Sequence, residues 1–416
     1  MSMKIIQINQ SCSGGGGFVQ SLRLHRAFRK LGHDAHLLVL ADATDEPGVI
    51  QLIRPNLMAR AAWRGLDLYN SRHVRKYTEK PPYGMMFFDS GLWVPKVLKR
   101  LKPDVVLLNF FNCLMTPQQI HEISTPLFWV MHDFSPFTGG CHLAYQCTGF
   151  QNGCGSCPAI GSSDKNDVTR YGFEQRKQIW NAGITGIAVG SAQALAAKES
   201  KACKGSRIET ISNGVPLNIF SPSLRAGARA KLKFDDSKLY IMVGTSANTS
   251  PLKGGGFAES AVDRLRTVYG DKIEFVSVGS PPLNFSRASV RYMNFIREEK
   301  KLADVYAACD LVLFPSLIEM FPLTVLEAMA CGTPVVSFKN GGAEEIISHG
   351  VDGFLAEVGN LDDLLSKIEV FINMNPSEKE TLRGAARVKT ELKFDILDCA
   401  RAYQKLFYKA LENDHV

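Results

Sequence analysis

The sequence predicts an α/β fold built as two doubly wound, parallel-sheet domains, and three observations lead there. Short, continuous apolar runs recur along the chain, as in Leu127 to Met131 and Asp310 to Phe314, and such runs suit strands buried on both faces. Glycine-rich loops follow a strand in each half, at Gln10 to Gly17 and again at Thr245 to Gly256. The 416 residues are enough for two cores of roughly 200 residues each.

Composition narrows the class. Hydrophobic residues make up 45% and charged residues 21%, as in an ordinary globular protein. No apolar run approaches the ~20 residues of a membrane-spanning helix. The opening MSMKIIQINQ passes directly into a strand, so a cytoplasmic location is expected. A net charge of +7 is too small an excess to imply nucleic-acid binding.

Taken in order, Met3 to Asn9 reads as the first strand and Phe18 begins a helix whose Leu24, Ala27, Phe28 and Leu31 repeat at helical spacing. The glycines between them allow close backbone approach to a ligand. They do not form the dinucleotide fingerprint, because Val19 stands where its third glycine belongs. That argues against a nicotinamide-dependent oxidoreductase. From Arg54 to Lys102 the chain is basic, with Arg72, Arg75 and Lys76 among its cations and Trp63, Phe87, Phe88 and Trp93 interleaved. Such a segment suits an anionic membrane surface or, equally, a packed helix pair with solvated charges. Val105 to Asn109 and Leu127 to Met131 are further strands, and the second ends on His132-Asp133, where the histidine reads either as a group facing a ligand crevice, with Asp133 to orient its ring, or as a structural residue bonded to nearby backbone.

Four of the ten cysteines, Cys141, Cys147, Cys154 and Cys157, then fall within seventeen positions. In a reducing compartment this spacing reads as a structural zinc site, with disulfides or plain loop cysteines as rivals. A long loop from about 134 to 170 is expected to hold them, and the family resemblance given below implies that it covers the acceptor side of a cleft. Turn residues crowd the stretch from Asn213 to Ser223, which marks the interdomain hinge. The expected division is 1–213, 214–393 and a C-terminal helix over 394–416, which the family resemblance given below implies returns to the N-terminal domain. Amphipathic helices are expected from Leu361 to Asn373, Ser377 to Thr390 and Ile396 to Leu411.

The densest stretch is PSLIEMFPLTVLEAMACGTPVVSFKNGGAEEII, Pro315 to Ile347. Pro315 ends a strand, Pro322 precedes a helix that Gly332 closes, and Gly341-Gly342 turns into another. Two helix N-termini would thus offer unpaired N–H groups to an anion such as a diphosphate. Glu319 and Glu327 lie eight positions apart, too far to share one level of a helix. In isolation they read as solvated charges; together with this frame they read as two diol holders on one elongated ligand.

This stretch resembles the signature of family 4 glycosyltransferases, retaining enzymes of the GT-B fold with two Rossmann-like domains facing a central cleft. The match runs through Pro315-Ser316, Glu319, Glu327, Ala328 to Val336, Gly341-Gly342 and Glu345, with Met320 where many members carry Gly. The resemblance implies that Glu319 lies by the donor sugar, that Glu327 binds the nucleotide ribose, and that the backbone of Phe321, Pro322, Leu323 and Thr324 receives the donor phosphates. It implies further that Gly15 and Gly16 face the cleft and that His132 stands beside donor sugar and acceptor. The backbone of Asn294, Phe295 and Ile296 would meet the base. Lys253-Gly254 matches the family's Lys-Gly element, which makes Lys253 the cation on the departing diphosphate. Thr245 or Ser246 stands where an Arg is usual. The run MHDFSPFTGGCH followed by CGSCP is similar to a subgroup associated with bacterial surface-polysaccharide assembly.

The expected activity is transfer of a sugar from a nucleotide-diphosphate sugar to a hydroxyl of a glycan or polyprenyl-diphosphate-linked acceptor. No cofactor is expected for catalysis, and zinc only as a structural ion. An epimerase or phosphorylase of the same fold is the rival enzyme, and an inactive nucleotide-sugar or metal-binding scaffold the rival from another class.

Overall fold

A computed structural model describes the chain apart from residues 1, 13, 41–42, 54–60, 62–63, 66–67, 70–71, 80–83, 145–146, 244–249, 280–284, 286–289 and 414–416. It divides into two units, one of Met1–Ser212 with Cys399–Val416 and one of Asn213–Asp398.

The first unit holds seven strands: β1 Lys4–Asn9, β2 Asp34–Val39, β3 Val49–Gln51, β4 Val105–Leu108, β5 Leu127–Met131, β6 Thr185–Ala188 and β7 Ile208–Thr210. Their order is β3-β2-β1-β4-β5-β6-β7 and every pairing is parallel. The chain winds outward from β1 in one direction and from β4 in the other, so the loops after β1 and β4 part at the carboxyl edge. That is where an open α/β sheet leaves room for a ligand. Ile6, Ile8, Leu108, Trp129 and Met131 belong to one buried cluster on this sheet. The helix Ile396–Asn413 supplies Tyr403 and Phe407, whose rings lie 6.1 and 5.9 Å from Phe28, and Phe407 lies 4.9 Å from Phe128.

The second unit repeats the plan with six strands: β8 Leu239–Val243, β9 Ile273–Val278, β10 Val290–Met293, β11 Leu311–Phe314, β12 Val335–Phe338 and β13 Phe354–Ala356. The order β10-β9-β8-β11-β12-β13 is again all parallel, with its switch point between β8 and β11. Ile241, Leu311, Leu313, Val336 and Phe338 are buried together.

Two expectations need correction here. The stretch 134–170 is not a bare loop: it contains the turns Ser135–Phe137 and Pro158–Ile160 and the short helix Gly149–Asn152, and it runs into the helix Val168–Trp180. Phe87 and Phe88, read as membrane-facing aromatics, are buried at 0% and 1% exposure, because Phe88 packs on Phe111 and Trp129. Of that basic segment, Arg54, Arg60 and Trp63 lie outside the described residues. Arg72 is engaged with Asp89 at 3.1 Å and lies over the Tyr69 ring. Trp93 is half exposed, and Lys96, Lys99 and Arg100 are exposed on the helix Val94–Leu101. Among the described residues, no helix is long and apolar enough to cross a membrane.

Candidate functional site

In the second unit the predicted residues gather at the switch point. Lys253 ends the turn Pro251–Lys253 after β8, and Glu319 lies in the loop after β11. The two loops are knitted together: Leu317 N–H donates to Leu252 O at 2.8 Å, and Ser316 Oγ lies 3.2 Å from the same oxygen. Gly254 is required at this crossing. Its φ is +71°, and a Cβ there would stand 1.8 Å from Pro315 O, a backbone atom that cannot move aside. Lys253 Nζ consequently reaches Glu319 Oε1 at 2.6 Å, and Ser316 Oγ donates to that same oxygen at 2.8 Å. Side-chain exposures of 24% and 14% leave the pair open to a ligand but largely out of water. The sequence treated these residues separately; the fold makes them one ion pair.

The helix Leu323–Ala330 begins just after this loop, with Pro322 as its N-cap and no side chain capping it. Among the described residues the backbone N–H groups of Phe321, Leu323 and Thr324 have no hydrogen-bond partner. The first turn of a helix leaves such donors, and its dipole makes them attractive to an anion. The second helix of the motif is different, which corrects the expectation of two anion-binding termini. It spans only Gly342–Ile346, and its first amides are taken: Gly341 N–H donates to Glu344 Oε2, Gly342 N–H to Glu319 O, and Ala343 N–H to Asn340 Oδ1, each at 2.9 Å. This turn braces the loop, and its first amides are not available to an anion. Gly342 suits the bracing role, since a Cβ there would lie 2.6 Å from Met320 C.

Glu327 is on the same helix and is 5% exposed. Tyr306, itself buried, donates its hydroxyl to Glu327 Oε2 at 3.1 Å. Sequence reasoning missed Tyr306 as a partner, since nothing in the helix Glu299–Ala308 singles it out from core. Asn294 and Phe295 are exposed beyond β10, and Ile296 is half-buried. Residues 244–249, including the Thr245 and Ser246 discussed above, lie outside the described residues.

In the first unit Gly15 and Gly16 are exposed and open the helix Gly16–Lys30 after β1. Gly17 sits against His132: a Cβ on Gly17 would stand 2.8 Å from the ring's Cγ and 2.6 Å from Phe110 Cε2. His132 directly follows β5, but Asp133 does not orient it. Asp133 Oδ2 takes His142 Nδ1, and Asp133 Oδ1 accepts the Ser135 N–H at 2.8 Å. The His132 ring is held by Asn109 Oδ1, 2.8 Å from Nε2. Burial pushes the His132 pKa down to about 4 against a small opposing pull from Asp133. His142 is moved the other way, its burial outweighed by the Asp133 carboxylate.

The four clustered cysteines are all free thiols. Burial, with smaller contributions from neighbouring cysteines, pushes Cys141 up to about 11 and Cys154 up to about 12. The Gly149 N–H donates to Cys147 Sγ at 3.4 Å, and Cys157 N–H donates to Asp167 Oδ2 at 2.9 Å. Among the described residues no three His, Cys, Asp or Glu side chains are placed to hold a metal ion.

Two all-parallel sheets, each with ligand-type residues in its switch-point loops, define the GT-B class. Residues 237–373 match the family described as Glycosyl transferases group 1, and the resemblance to family 4 glycosyltransferases is borne out. An N,N'-diacetylbacillosaminyl-diphospho-undecaprenol alpha-1,3-N-acetylgalactosaminyltransferase from Campylobacter jejuni is 29% identical over 229 residues, 53% of this chain and 57% of that protein. A D-inositol 3-phosphate glycosyltransferase from Streptosporangium roseum is 29% identical over 198 residues, 43% of this chain and 45% of that one. The chain thus spans about half the length of the curated relatives it matches. Among solved structures, sucrose-phosphate synthase from Thermosynechococcus elongatus superposes with a TM-score of 0.70 at 17% identity, covering 99% of this chain and 100% of that one. HepE from Anabaena in complex with UDP-glucose gives 0.63 at 20% identity, covering 98% and 100%. The likeness to these structures is one of fold.

Proposed function

We propose that this chain is a retaining glycosyltransferase that moves a sugar from a nucleotide-diphosphate sugar to a hydroxyl of a glycan or lipid-linked acceptor, in surface-polysaccharide assembly. The observation that carries the reading is the set of unpartnered amides at Phe321, Leu323 and Thr324 beside the Lys253–Glu319 pair. A diphosphate fits that set. The three N–H groups and the helix dipole receive its oxygens, and Lys253, with three donors on its ammonium, bridges Glu319 and a phosphate oxygen together. Glu319 then has its second oxygen for a sugar hydroxyl, and Glu327 accepts from the ribose diol. The lipid-linked acceptor named for the Campylobacter relative and the UDP-glucose bound by HepE support the substrate classes.

In the transfer, the bond between the anomeric carbon and the phosphate oxygen breaks while the acceptor oxygen bonds that carbon from the same face. The acceptor proton passes to the leaving phosphate oxygen, giving a glycoside and a nucleoside diphosphate. The fixed amides and Lys253 stabilise the charge that gathers on the leaving group.

Calorimetry with a panel of UDP- and GDP-sugars tests the reading. One donor is expected to bind, and Glu327→Ala is expected to weaken it by about 1–3 kcal/mol, roughly 5- to 150-fold. A folded chain that binds no nucleotide sugar, or an unchanged affinity in the variant, rejects it.

A further inference from the structure

We propose that Asn109 is a positioning residue that fixes His132 as the Nε2–H tautomer, so that Nδ1 is presented to a substrate hydroxyl as an acceptor. The substrate half of this statement rests on the glycosyltransferase reading; the tautomer half does not.

The geometry leaves little freedom. Asn109 follows β4 directly, at the switch point of the first sheet, and is 2% exposed. Its own backbone N–H donates to Ile8 O at 2.9 Å, and its side-chain Nδ2 donates to the same oxygen at 3.3 Å. With Nδ2 committed to a carbonyl, the atom facing His132 is Oδ1, which can only accept. The ring nitrogen 2.8 Å away must then carry the proton. In a neutral imidazole that places the lone pair on Nδ1, which makes no hydrogen bond among the described residues.

The ring is also confined from its sides. Gly17 lies against its Cβ and Cγ, and the Phe110 ring lies 5.2 Å away, tilted by 30°. Phe110 in turn meets Phe18 at 5.0 Å. The residue after Asn109 and the two after Gly16 thus hold the imidazole in place while Asn109 sets its chemistry. A neutral ring with a fixed acceptor suits a sugar hydroxyl, which needs a partner for its proton and offers no charge.

The test uses the full chain with ¹⁵N-labelled histidine, read by long-range ¹H–¹⁵N spectra at neutral pH. Wild type is expected to show His132 as the Nε2–H tautomer, and Asn109→Leu, which keeps the volume and removes the acceptor, is expected to move it towards Nδ1–H. Asn109→Asp keeps an acceptor in the same place and is expected to hold the Nε2–H form, so it separates loss of the hydrogen bond from loss of packing. With the donor that the panel identifies, Asn109→Leu is expected to lower turnover by about 100-fold, as small misplacements in active sites do. Binding of UDP or GDP, which rests on the second unit, is expected to stay unchanged, and Asn109→Asp is expected to recover part of the rate. An Nδ1–H tautomer in wild type, or the same tautomer and turnover in Asn109→Leu as in wild type, overturns the proposal. If no nucleotide sugar is turned over at all, the function reading fails, while the spectra still decide the tautomer.

Discussion

At the scale of single residues, two histidines ten positions apart are set to opposite tasks. His132, pushed down to about 4, stays neutral through the physiological range, while the carboxylate of Asp133 holds His142 above the ordinary 6.5. The signs follow from linkage. Between about 4 and 6.5 the unfolded chain binds more protons at position 132 than the folded one, so this residue's contribution falls as pH drops through that window. The His142 contribution is complete below 6.5 and is lost as pH rises through its raised folded value. A histidine NMR titration is expected to show His142 protonated at pH 6.5 and His132 neutral there. Finding both near 6.5 would contradict the burial of one and the ion pair of the other. At the same scale, Tyr306→Phe removes the hydroxyl that holds Glu327 and is expected to weaken nucleotide binding by less than Glu327→Ala does. Calorimetry comparing the two variants checks that order.

At the scale of elements, the site depends on loops that cross with no room to spare. Gly254→Ala would combine left-handed backbone strain, about 1–3 kcal/mol, with a collision against Pro315 O. The variant is expected to lose nucleotide affinity because the Lys253–Glu319 pair opens, and calorimetry beside a hydrogen-exchange map would separate that local effect from unfolding. Much of this region was legible in advance. Leu311 to Phe314 is an unbroken apolar run before a proline, so its strand was plain, and the helix from Leu323 to Ala330 announced itself between Pro322 and Gly332. The strands Val49–Gln51 and Phe354–Ala356 were missed because three residues show no period. The helix Val168–Trp180 was missed because its buried face includes Gln175 and Arg176, and the arginine spends its donors on the carbonyls of Ser135, Gly172 and Met86. Partnerships across the chain, such as Asn109 with His132 or Lys253 with Glu319, leave no local trace of which of several neighbours wins. The cysteine spacing was equally plain, but where the sulfurs point depends on a loop in which Cys154 and Ser156 both take positive φ.

At the scale of the whole molecule, the two units repeat one wiring plan, and in each the candidate residues lie at the point where strand order reverses. The first unit is closed by chain from both ends of the sequence. Phe407→Ala removes a ring with 0% exposure that touches Phe28, Phe128 and Tyr403, and a cost of about 3–5 kcal/mol is expected. Hydrogen exchange is expected to quicken in β1 and β5 while β8 and β11 keep their protection. Equal loss in both sheets would show that the two units do not unfold separately.

That closure has a consequence for biosynthesis. When the ribosome has made residue 212, the sheet it has just released still lacks Tyr403 and Phe407, and Phe28 and Phe128 have no ring to meet on that side. Residues 213–398 must be translated first, which takes about 10–40 s at typical elongation rates. During that interval the nascent chain carries an unfinished apolar face, a natural target for chaperones, while the second unit, continuous in sequence, can complete its own core as it emerges.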